Sequence, residues 1–551
     1  MKPYRWLILG LIGCLLVAGG AYFWATSLMD SLYNFRSPLH ANPPAPGQAL
    51  GQPITRRVVV VLIDALRADT SLKPDVMPTL NQLRDQAAWA TMHSQVPSYS
   101  EPGYTVLMTG AWPYLSDGPA MNLDYTDIPT WTQDNLFSAA HRAGLKTAVS
   151  GYYWFEKLIP QDAVDASFYT PGEDKIADRE VIDHALPWLQ SGDYNFVLIH
   201  IDQVDYAGHH EGGPRDPRWD AAATRSDDLL REIVSQLDLE QDTVIVLSDH
   251  GQIDRGGHGG QDPIVLLEPF VMAGAGVKPG RYPDMYQVDV APTVAALLGT
   301  NLPASSQGNV LTEMLTLSPE KSAAIAEALN QQQMTLSDAY QKAIGYRVAP
   351  DAGEKDILGY YQGLIEKARN TRLKHERTPR FLFAAILMLI PATLLVWKRS
   401  RMVAWLFGGA GIYLVLFNFI YAGLAGRTYS LSSVASSTDI ILTTALISLL
   451  ALTVAWLILS FGIKSFNAQP LHAAETTLGL TFVTLYLLAL PILWSFALNG
   501  ALISWTIPDF ASMFLGFLST IQSLVVAVAG IILTGVAALI ARIVNQKPEL
   551  R

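Results

Sequence analysis

The sequence contains one cysteine among 551 residues, Cys14, so no disulfide bond can form within the chain. Because Cys14 lies inside an apolar run, cysteine usage does not identify the redox compartment. Basic clusters are also scarce: 38 Lys and Arg stand against 49 Asp and Glu, which gives a net charge of −11. Nucleic-acid binding requires clustered cations that meet the phosphates, so nucleic acid is not expected as a partner.

Charge of either sign is rare after Arg380, where only four acidic residues occur. Long apolar segments fill this part of the chain, at 381–397, 402–424, 440–463, 476–498 and about 520–541. Their lengths suit helices that cross the hydrocarbon core. The few charges lie near predicted helix ends, which argues against a transporter. We expect residues 380–551 to form a membrane region of about five transmembrane helices, with the stretch 503–518, broken by Pro508 and Asp509, interfacial or re-entrant.

The first 29 residues predict an N-terminal transmembrane anchor. Residues 6–29 carry no charge and follow Lys2 and Arg5, as expected of a membrane-spanning helix. A cleaved signal peptide is the alternative, although the apolar stretch exceeds a typical signal core and no small-x-small site closes it. Residues 30–54 are rich in proline and predict a linker.

The distribution of basic residues predicts one orientation in the membrane. Three basic residues lie in the short loop after the first predicted span of residues 380–551: Lys398, Arg399 and Arg401. The others lie at every second end of the later predicted spans: Lys464, Arg542, Lys547 and Arg551. Under the positive-inside rule, six spans then leave both termini cytoplasmic and place residues 30–379 outside the cytoplasm.

Residues 55–303 predict an α/β domain. Short β-branched runs predict buried strands at 58–63, 146–152, 195–201, 243–249 and 264–274. Amphipathic stretches such as 77–90 and 215–237 predict helices between them. This alternation favours a mostly parallel sheet sandwiched by helices, in which sites gather beyond the carboxyl ends of the strands. Residues 304–379 are polar and helical in pattern, and predict a connector to the membrane region.

Metal-type ligands follow several of the predicted strands. Asp64 ends the first run, where a simple helix cap is the alternative. The pair Asp205 and His209 follows another strand, with a glycine between them, and suits a borderline metal such as zinc. The adjacent Asp249 and His250 end a further apolar strand. A buried Asp–His pair without a counter-cation costs several kcal/mol, which favours a metal role.

Ser100 precedes a proline and a helical stretch, at 100–110. An N-cap serine is the alternative interpretation. A helix N-terminus would also lower the cost of a serine alkoxide and of a bound phosphate, so Ser100 is a candidate nucleophile.

Four motifs carry a family resemblance: IDALR at 63–67, SEPGYTVLMTG at 100–110, VDYAGH at 204–209 and SDHGQIDRGGHGG at 248–260. In this order they resemble the alkaline phosphatase superfamily. Within it they are similar to the nucleotide pyrophosphatase/phosphodiesterase branch and to the phosphoethanolamine transferases of glycolipid-anchor synthesis. The resemblance covers roughly residues 55–303 and implies an alkaline phosphatase-like catalytic domain with a serine nucleophile, Ser100.

The resemblance also implies two divalent metal ions. It places one metal among Asp64, Ser100, Asp249 and His250, and the other among Asp205, His209 and His258. These ligand-type residues are too many for a single tetrahedral zinc site, and their number fits two metal sites. Three histidines among carboxylates favour Zn, with Mn as the alternative. Asn122 falls where phosphodiesterases carry an asparagine that touches a phosphate oxygen, although an exposed turn asparagine is equally compatible.

At some positions this sequence departs from the motifs of the superfamily, and these differences restrict the class of substrate that we expect. Tyr104 replaces a residue of the sulfatase motif, so sulfate ester hydrolysis is not expected. Glu101 follows Ser100, where an acid would repel a phosphomonoester dianion. The aromatic run at 152–155 fits either a substrate groove or core packing.

The expected function is that of a membrane-anchored two-metal phosphodiesterase or phosphoethanolamine-like transferase, which acts on an extracytoplasmic phosphodiester or lipid-linked substrate among membrane lipids. Two alternatives stay open. One is a catalytically inactive alkaline phosphatase-like binding module on a membrane carrier, and the other is a sulfatase-type hydrolase.

Overall fold

The computed structural model of the protein describes residues 2–349, 357–397 and 401–546. These residues form two compact units. One unit, here called the α/β unit, comprises residues 32–373 and 504–507. The other, here called the membrane unit, comprises the described parts of residues 1–31, 374–503 and 508–551.

A single mixed sheet forms the centre of the α/β unit. Its nine strands are β1 Arg57–Ile63, β2 Ala87–His93, β3 Thr147–Tyr152, β4 Ala166–Thr170, β5 Phe196–Ile201, β6 Asp242–Leu247, β7 Leu267–Gly274, β8 Gly280–Arg281 and β9 Met285–Tyr286. Their order is β4-β3-β5-β1-β6-β7-β2-β8, and β9 also pairs with β2. The strands from β4 to β6 are parallel, whereas β7 runs antiparallel to β6 and β2. The predicted fold class, a mostly parallel sheet flanked by helices, is therefore confirmed.

Sixteen α-helices occur in the described residues. They are α1 Lys2–Tyr33, α2 Ala68–Ser71, α3 Pro78–Arg84, α4 Ser100–Thr109, α5 Leu136–Arg142, α6 Trp154–Leu158, α7 Lys175–Ser191, α8 Gln203–His210, α9 Pro217–Val234, α10 Val290–Leu298, α11 Pro319–Ala343, α12 Ile357–Trp397, α13 Arg401–Asn418, α14 Ser437–Gly462, α15 Pro470–Asn499 and α16 Phe510–Asn545. A short π-helix, Phe419–Leu424, continues α13.

The sheet is buried on both faces because its central strand alternates between two cores. In β1, Val58, Val60 and Leu62 pack with residues of α4, α5 and α10. The intervening residues of β1 pack with α3, α7 and α9 on the opposite face. A strand buried on both faces must be apolar throughout, and this explains the uninterrupted aliphatic run in the sequence.

One predicted helix is partly wrong. Residues 77–90 form a helix only as far as Arg84, and β2 begins at Ala87. The alanine-rich start of β2 has a helical propensity. Pairing with β7 overrides it, because residues 87–93 join seven consecutive residues of that strand. The half-exposed β4 has a weaker apolar pattern and was not predicted.

Five helices of the described residues are long and apolar enough to cross a membrane: Leu7–Tyr33, Arg401–Leu424, Ser437–Gly462, Pro470–Asn499 and Phe510–Asn545. The sixth predicted span, 381–397, is the end of α12. Among the basic residues used for the orientation, Lys398, Arg399, Lys547 and Arg551 lie outside the described residues.

Within the predicted interfacial stretch 503–518, residues from Phe510 onward begin α16. The carboxylate of Asp509 accepts a hydrogen bond from the backbone N–H of Ser512 at 2.8 Å. Asp509 therefore caps the helix, and the Pro508–Asp509 pair marks the start of the last candidate span.

A buried ion pair joins β1 to β6 and generates a prediction about stability. Arg57 is 2% exposed, Asp242 is fully buried, and their side chains meet at 2.7 Å. Asp242→Asn leaves the Arg57 cation buried without a counter-charge, so we expect a loss of about 3–5 kcal/mol in the free energy of unfolding. Guanidinium denaturation of the detergent-solubilised chain, followed by tryptophan fluorescence, measures the loss.

The exposed pair between Lys73 and Asp220 provides the control. It has a similar separation of 2.8 Å, but both side chains are about two-fifths exposed. Asp220→Asn should therefore lower the free energy of unfolding by less than about 1 kcal/mol. Equal losses for the two variants would contradict the importance of the buried pair.

Candidate active site

The candidate site lies at the carboxyl ends of three neighbouring strands. Strand β1 lies between β5 and β6 in the sheet, and all three are parallel. Asp64 directly follows β1, Asp202 directly follows β5, and Asp249 comes two residues after the end of β6. Because parallel strands end at one edge of a sheet, these three carboxylates converge there.

The first cluster of ligand-type atoms surrounds the imidazole Nε2 of His250. The Oγ of Ser100 lies 3.2 Å from this nitrogen. One carboxylate oxygen of Asp249 lies 3.4 Å away and one of Asp64 lies 3.5 Å away. All four residues are buried. The structure thus brings together the four residues that the sequence predicted for one metal.

The second cluster contains Asp205, His209 and His258. The Nε2 atoms of the two histidines lie 2.9 Å apart. The carboxylate of Asp205 lies 3.4 Å from His209 Nε2 and 3.6 Å from His258 Nε2. The three residues predicted for the other metal therefore also lie together.

The two clusters are adjacent. The rings of His250 and His258 stack with centroids 4.0 Å apart and an interplanar angle of 14°. In addition, His250 can share one ion with Asp64 and Asp249, or another with Asp205 and His258. The arrangement suits two neighbouring ions rather than one.

Buried atoms and charges of this site fit divalent cations. One oxygen each of Asp64 and Asp249 is buried without a hydrogen-bond partner in the described part of the chain. Burial and the charge of Asp64 raise the pKa of Asp249 well above its usual range. Burial also opposes the ionisation of Asp205, but three facing imidazoles outweigh it and lower the pKa of that carboxyl. Carboxylates and imidazoles in such a group are the donors that zinc prefers, and a cation offsets their mutual repulsion.

Ser100 is held at the first position of α4, after the extended residue Tyr99. A glycine one turn later, Gly103, permits close contact with the metal-type ligands: a Cβ at this position would lie 2.9 Å from the Cβ of Asp249. The small residue therefore lets the N-terminal turn of α4 approach the end of β6. The Ser100 hydroxyl reaches the first cluster for this reason.

The turn after β1 has an unusual backbone conformation. Ala65 has a φ of +58°, in the left-handed region that residues with a side chain rarely adopt. In this conformation its backbone N–H donates to the Asp249 carboxylate at 3.2 Å. The strained turn thus fixes Asp249 beside Asp64.

Asn122 lies next to Ser100. Its side-chain oxygen accepts a hydrogen bond of 3.1 Å from the backbone N–H of Glu101. The amide group of Asn122 is thereby placed at the N-terminus of α4, and its NH2 remains a hydrogen-bond donor.

Glu101, the acid predicted to repel a phosphomonoester dianion, occupies a buried position. The Glu101 side chain is fully buried and accepts a hydrogen bond of 3.1 Å from the backbone N–H of Leu123. Burial raises the pKa of Glu101 to about 8, so this carboxyl is mostly protonated at neutral pH.

Three side chains that support the ligands were not predicted to do so. His200 lies 3.0 Å from an oxygen of Asp64, and the hydroxyl of Tyr104 donates to the same oxygen. Gln252 donates to Asp205 at 2.7 Å. The sequence held one signal for this group, a histidine inside the apolar strand FVLIHI at 196–201. Such partners fix the orientation of metal ligands.

Comparison with known proteins agrees with this architecture. Residues 58–270 match the family model described as Type I phosphodiesterase / nucleotide pyrophosphatase. The catalytic subunit of human GPI ethanolamine phosphate transferase 3 is 28% identical over 376 residues, which cover 60% of this chain and 34% of the relative. The catalytic subunit of human GPI ethanolamine phosphate transferase 2 is 28% identical over 300 residues, or 49% of this chain and 30% of the relative. The chain thus spans about a third of the length of these relatives.

Two solved structures are also similar to part of the chain. The murine ectonucleotide pyrophosphatase / phosphodiesterase 5 has 14% sequence identity and a TM-score of 0.39, and the similarity covers 47% of this chain and 100% of that one. Its human counterpart has 15% identity and a TM-score of 0.40, with the same coverage. The match of residues 58–270 to the type I phosphodiesterase / nucleotide pyrophosphatase model, together with the similar transferases, confirms the resemblance of this chain to the alkaline phosphatase superfamily.

Proposed function

We propose that this protein is a membrane-anchored, metal-dependent phosphoethanolamine-type transferase, in which Ser100 attacks a phosphodiester. The observation that carries the proposal is the pair of adjacent ligand clusters, the first of which includes the Ser100 hydroxyl 3.2 Å from His250. The names of the similar proteins support an ethanolamine phosphate group as the one transferred. An inactive binding module would be free to lose these ligands, and all seven predicted ones lie in the clusters.

The proposed metal sites follow the two clusters. Asp64, Ser100, Asp249 and His250 would hold one ion, and Asp205, His209 and His258 would hold the other. When bound, two such ions stabilise negative charge on the attacking and leaving oxygens of a displacement at phosphorus. Zn fits the three imidazoles among the carboxylates, and Mn is the alternative.

The chain supplies the nucleophile and the positions of the reacting groups. The Ser100 Oγ releases its proton to solvent and attacks phosphorus, an Oγ–P bond forms, and the P–O bond to the leaving alcohol breaks as the leaving oxygen takes a proton from water. The acceptor hydroxyl then releases its proton to solvent and attacks the same phosphorus, and the Oγ–P bond breaks, which returns Ser100 to its starting form. Water in place of the acceptor gives hydrolysis.

Two features of α4 favour phosphoryl binding at Ser100. The partial positive charge of the helix N-terminus stabilises both the alkoxide and the phosphoryl oxygens. The Asn122 side chain, already bonded to the backbone N–H of Glu101, would donate its NH2 to a non-bridging oxygen of the substrate.

The charge of the site favours a diester. Two divalent ions bring four positive charges, which the carboxylates of Asp64, Asp205 and Asp249 and a Ser100 alkoxide nearly neutralise. A nearly neutral site offers no surplus charge to select a phosphomonoester dianion over a diester monoanion. We propose a lipid-linked or extracytoplasmic phosphodiester as the substrate, with membrane lipids as its surroundings.

Metal content tests the proposed cofactors. We expect about two divalent ions per chain by elemental analysis of the purified protein, and loss of activity on an aryl phosphodiester after chelation, with recovery when Zn or Mn is returned. Asp205→Asn should lower the content by about one ion, because it removes the only carboxylate of the second cluster among the described residues. Full activity with only trace transition metal would contradict the proposal.

Substitution of Ser100 tests the nucleophile. Ser100→Ala should lower turnover of an aryl phosphodiester by several orders of magnitude and leave folding and most of the metal content unchanged. Ser98→Ala provides the matched control. Its hydroxyl donates to Gly260 O at 2.9 Å and accepts from Gly259 N–H at 3.0 Å, so its loss disturbs only the loop that holds His258. Near-normal turnover in Ser100→Ala together with a severe loss in Ser98→Ala would identify Ser98 as the nucleophile instead.

Reporter fusions test the proposed orientation. With the α/β unit outside the cytoplasm, a reporter near residue 45 or residue 350 should be accessible from outside, and one after Arg551 should be active inside. Residues 350 and 551 lie outside the described residues. A cytoplasmic signal from residue 45 would reverse the orientation and the substrate compartment.

A further inference from the structure

A group of aromatic and acidic side chains lies beside the metal-type ligands, at the carboxyl ends of β3 and β5. Strand β3 pairs in parallel with β5, with Ser150 opposite Ile199. Continuing that register brings Tyr152 level with the last residue of β5, next to Asp202. We call this group the aromatic–acidic cluster, and its members are Tyr125, Tyr152, Tyr153, Trp154, Glu173 and Asp202.

The aromatic members face one another, and all of them except the buried Tyr152 keep accessible surface. The ring of Tyr152 lies 4.7 Å from Tyr153 and 4.9 Å from Trp154, between centroids. Tyr153 stacks on Tyr125 at 4.5 Å. Tyr125, Tyr153 and Trp154 are partly exposed, whereas the next residue of the run, Phe155, is fully buried. The run therefore divides into a core residue and residues that can contact a ligand.

The rings can bind a cation. The ammonium of Lys157 already lies over the ring of Tyr125, 4.7 Å from its centroid. In the described part of the chain, no Lys or Arg lies over the ring of Tyr153 or Trp154. The faces of aromatic rings attract ammonium groups through their quadrupoles.

The acidic members add negative charge at the inner end of the cluster. The Tyr152 hydroxyl donates to Glu173 at 2.7 Å. Asp202 is 7% exposed, and no donor within the described residues forms a hydrogen bond to its carboxylate. Its neighbour is itself acidic, because the ligand atoms of Asp202 and Asp64 lie within 4.8 Å of each other. A cation at this position would relieve the repulsion between the two carboxylates.

We propose that the aromatic–acidic cluster binds the ammonium group of the transferred phosphoethanolamine, with Asp202 and Glu173 as its anionic partners and Tyr153 and Trp154 as its aromatic walls. This inference rests on the proposed function. The ligand atoms of Asp202 and Asp64 lie within 4.8 Å of each other, so a phosphoryl group at Asp64 places its two-carbon amine arm near Asp202. The cluster would thereby select amine-bearing head groups.

A third metal ion is the competing occupant of this position, because Asp64, His200 and Asp202 could also hold one. Two observations favour the ammonium. The Nε2 of His200 is already 3.0 Å from Asp64 and 2.9 Å from the hydroxyl of Tyr104. The aromatic neighbours are cation–π partners and are not usual metal ligands.

The test compares two aryl phosphodiesters on the full purified chain, p-nitrophenyl phosphoethanolamine and its uncharged counterpart p-nitrophenyl ethyl phosphate. The wild type should show the higher kcat/KM on the amine substrate. In Glu173→Gln and in Asp202→Asn, the ratio of the two kcat/KM values should fall by about tenfold, because each removes a charged partner of the ammonium. In Glu173→Gln the side-chain amide oxygen can still accept a hydrogen bond from the Tyr152 hydroxyl, which preserves the local structure.

Glu240→Gln is the matched control. Glu240 is exposed and precedes β6, so it lies at the amino end of that strand, whereas the site lies at the carboxyl ends of the strands. Its ratio should equal that of the wild type. An unchanged ratio in both Glu173→Gln and Asp202→Asn would overturn the inference, even with good turnover of both substrates. Loss of one bound ion in Asp202→Asn would assign Asp202 to a metal and also overturn it.

The proposed function fails in a different way. A metal-loaded wild type that cleaves neither diester, or prefers p-nitrophenyl phosphate or p-nitrophenyl sulfate by tenfold or more, would count against the diester-cleaving activity itself. These outcomes do not depend on the substitutions in the aromatic–acidic cluster, so the two failures are distinguishable.

Discussion

Negative charge buried at one edge of the sheet is the constraint on which the site depends. Asp64, Asp202, Asp205 and Asp249 follow the ends of three adjacent strands, and all but Asp205 are less than a tenth exposed. Carboxylates this close and this buried repel one another and lose hydration, at a cost that a fold tolerates only with cations nearby. Imidazoles supply part of this compensation, and divalent metal ions would supply the rest.

The scaffold keeps these groups in place through rigid parts of the fold. The ligands follow strands that are buried on both faces and paired on both edges, so their backbone positions have little freedom. Tyr104 and His200 hold Asp64, and Gln252 holds Asp205. The left-handed turn at Ala65 completes this support. Ser100, the proposed nucleophile at the start of α4, lies against this preorganised cluster, which is the arrangement that phosphoryl transfer requires.

The same charge accounts for the kind of substrate proposed. A site whose carboxylates would nearly match two divalent ions has little surplus charge for a dianion, whereas Asp202, which belongs to neither proposed metal site, is proposed to accept an ammonium group. The phosphoethanolamine group combines a phosphodiester monoanion with one positive charge. Helices of membrane-spanning length in the same chain are consistent with such a head group on a lipid.

Residue type and spacing alone predicted much of this architecture. The five aliphatic runs became β1, β3, β5, β6 and β7, because a strand buried on both faces leaves an unambiguous apolar signature. The candidate ligands were also predictable, since Asp and His at the ends of such runs are otherwise costly. Helices of membrane-spanning length follow in the same way from the long uncharged segments.

Other features depended on contacts between distant residues, which no local pattern contains. Strand β2 took its conformation from pairing with β7 in spite of its alanines, and burial of Glu101 changed the charge expected beside Ser100. The helix cap at Asp509 converted a predicted break into a helix start. The role of His200 became visible only when β5 was placed beside β1. The sequence by itself therefore determined which elements and ligand types occur, whereas the tertiary structure decided pairing, burial and charge, because these depend on neighbours far apart in the chain.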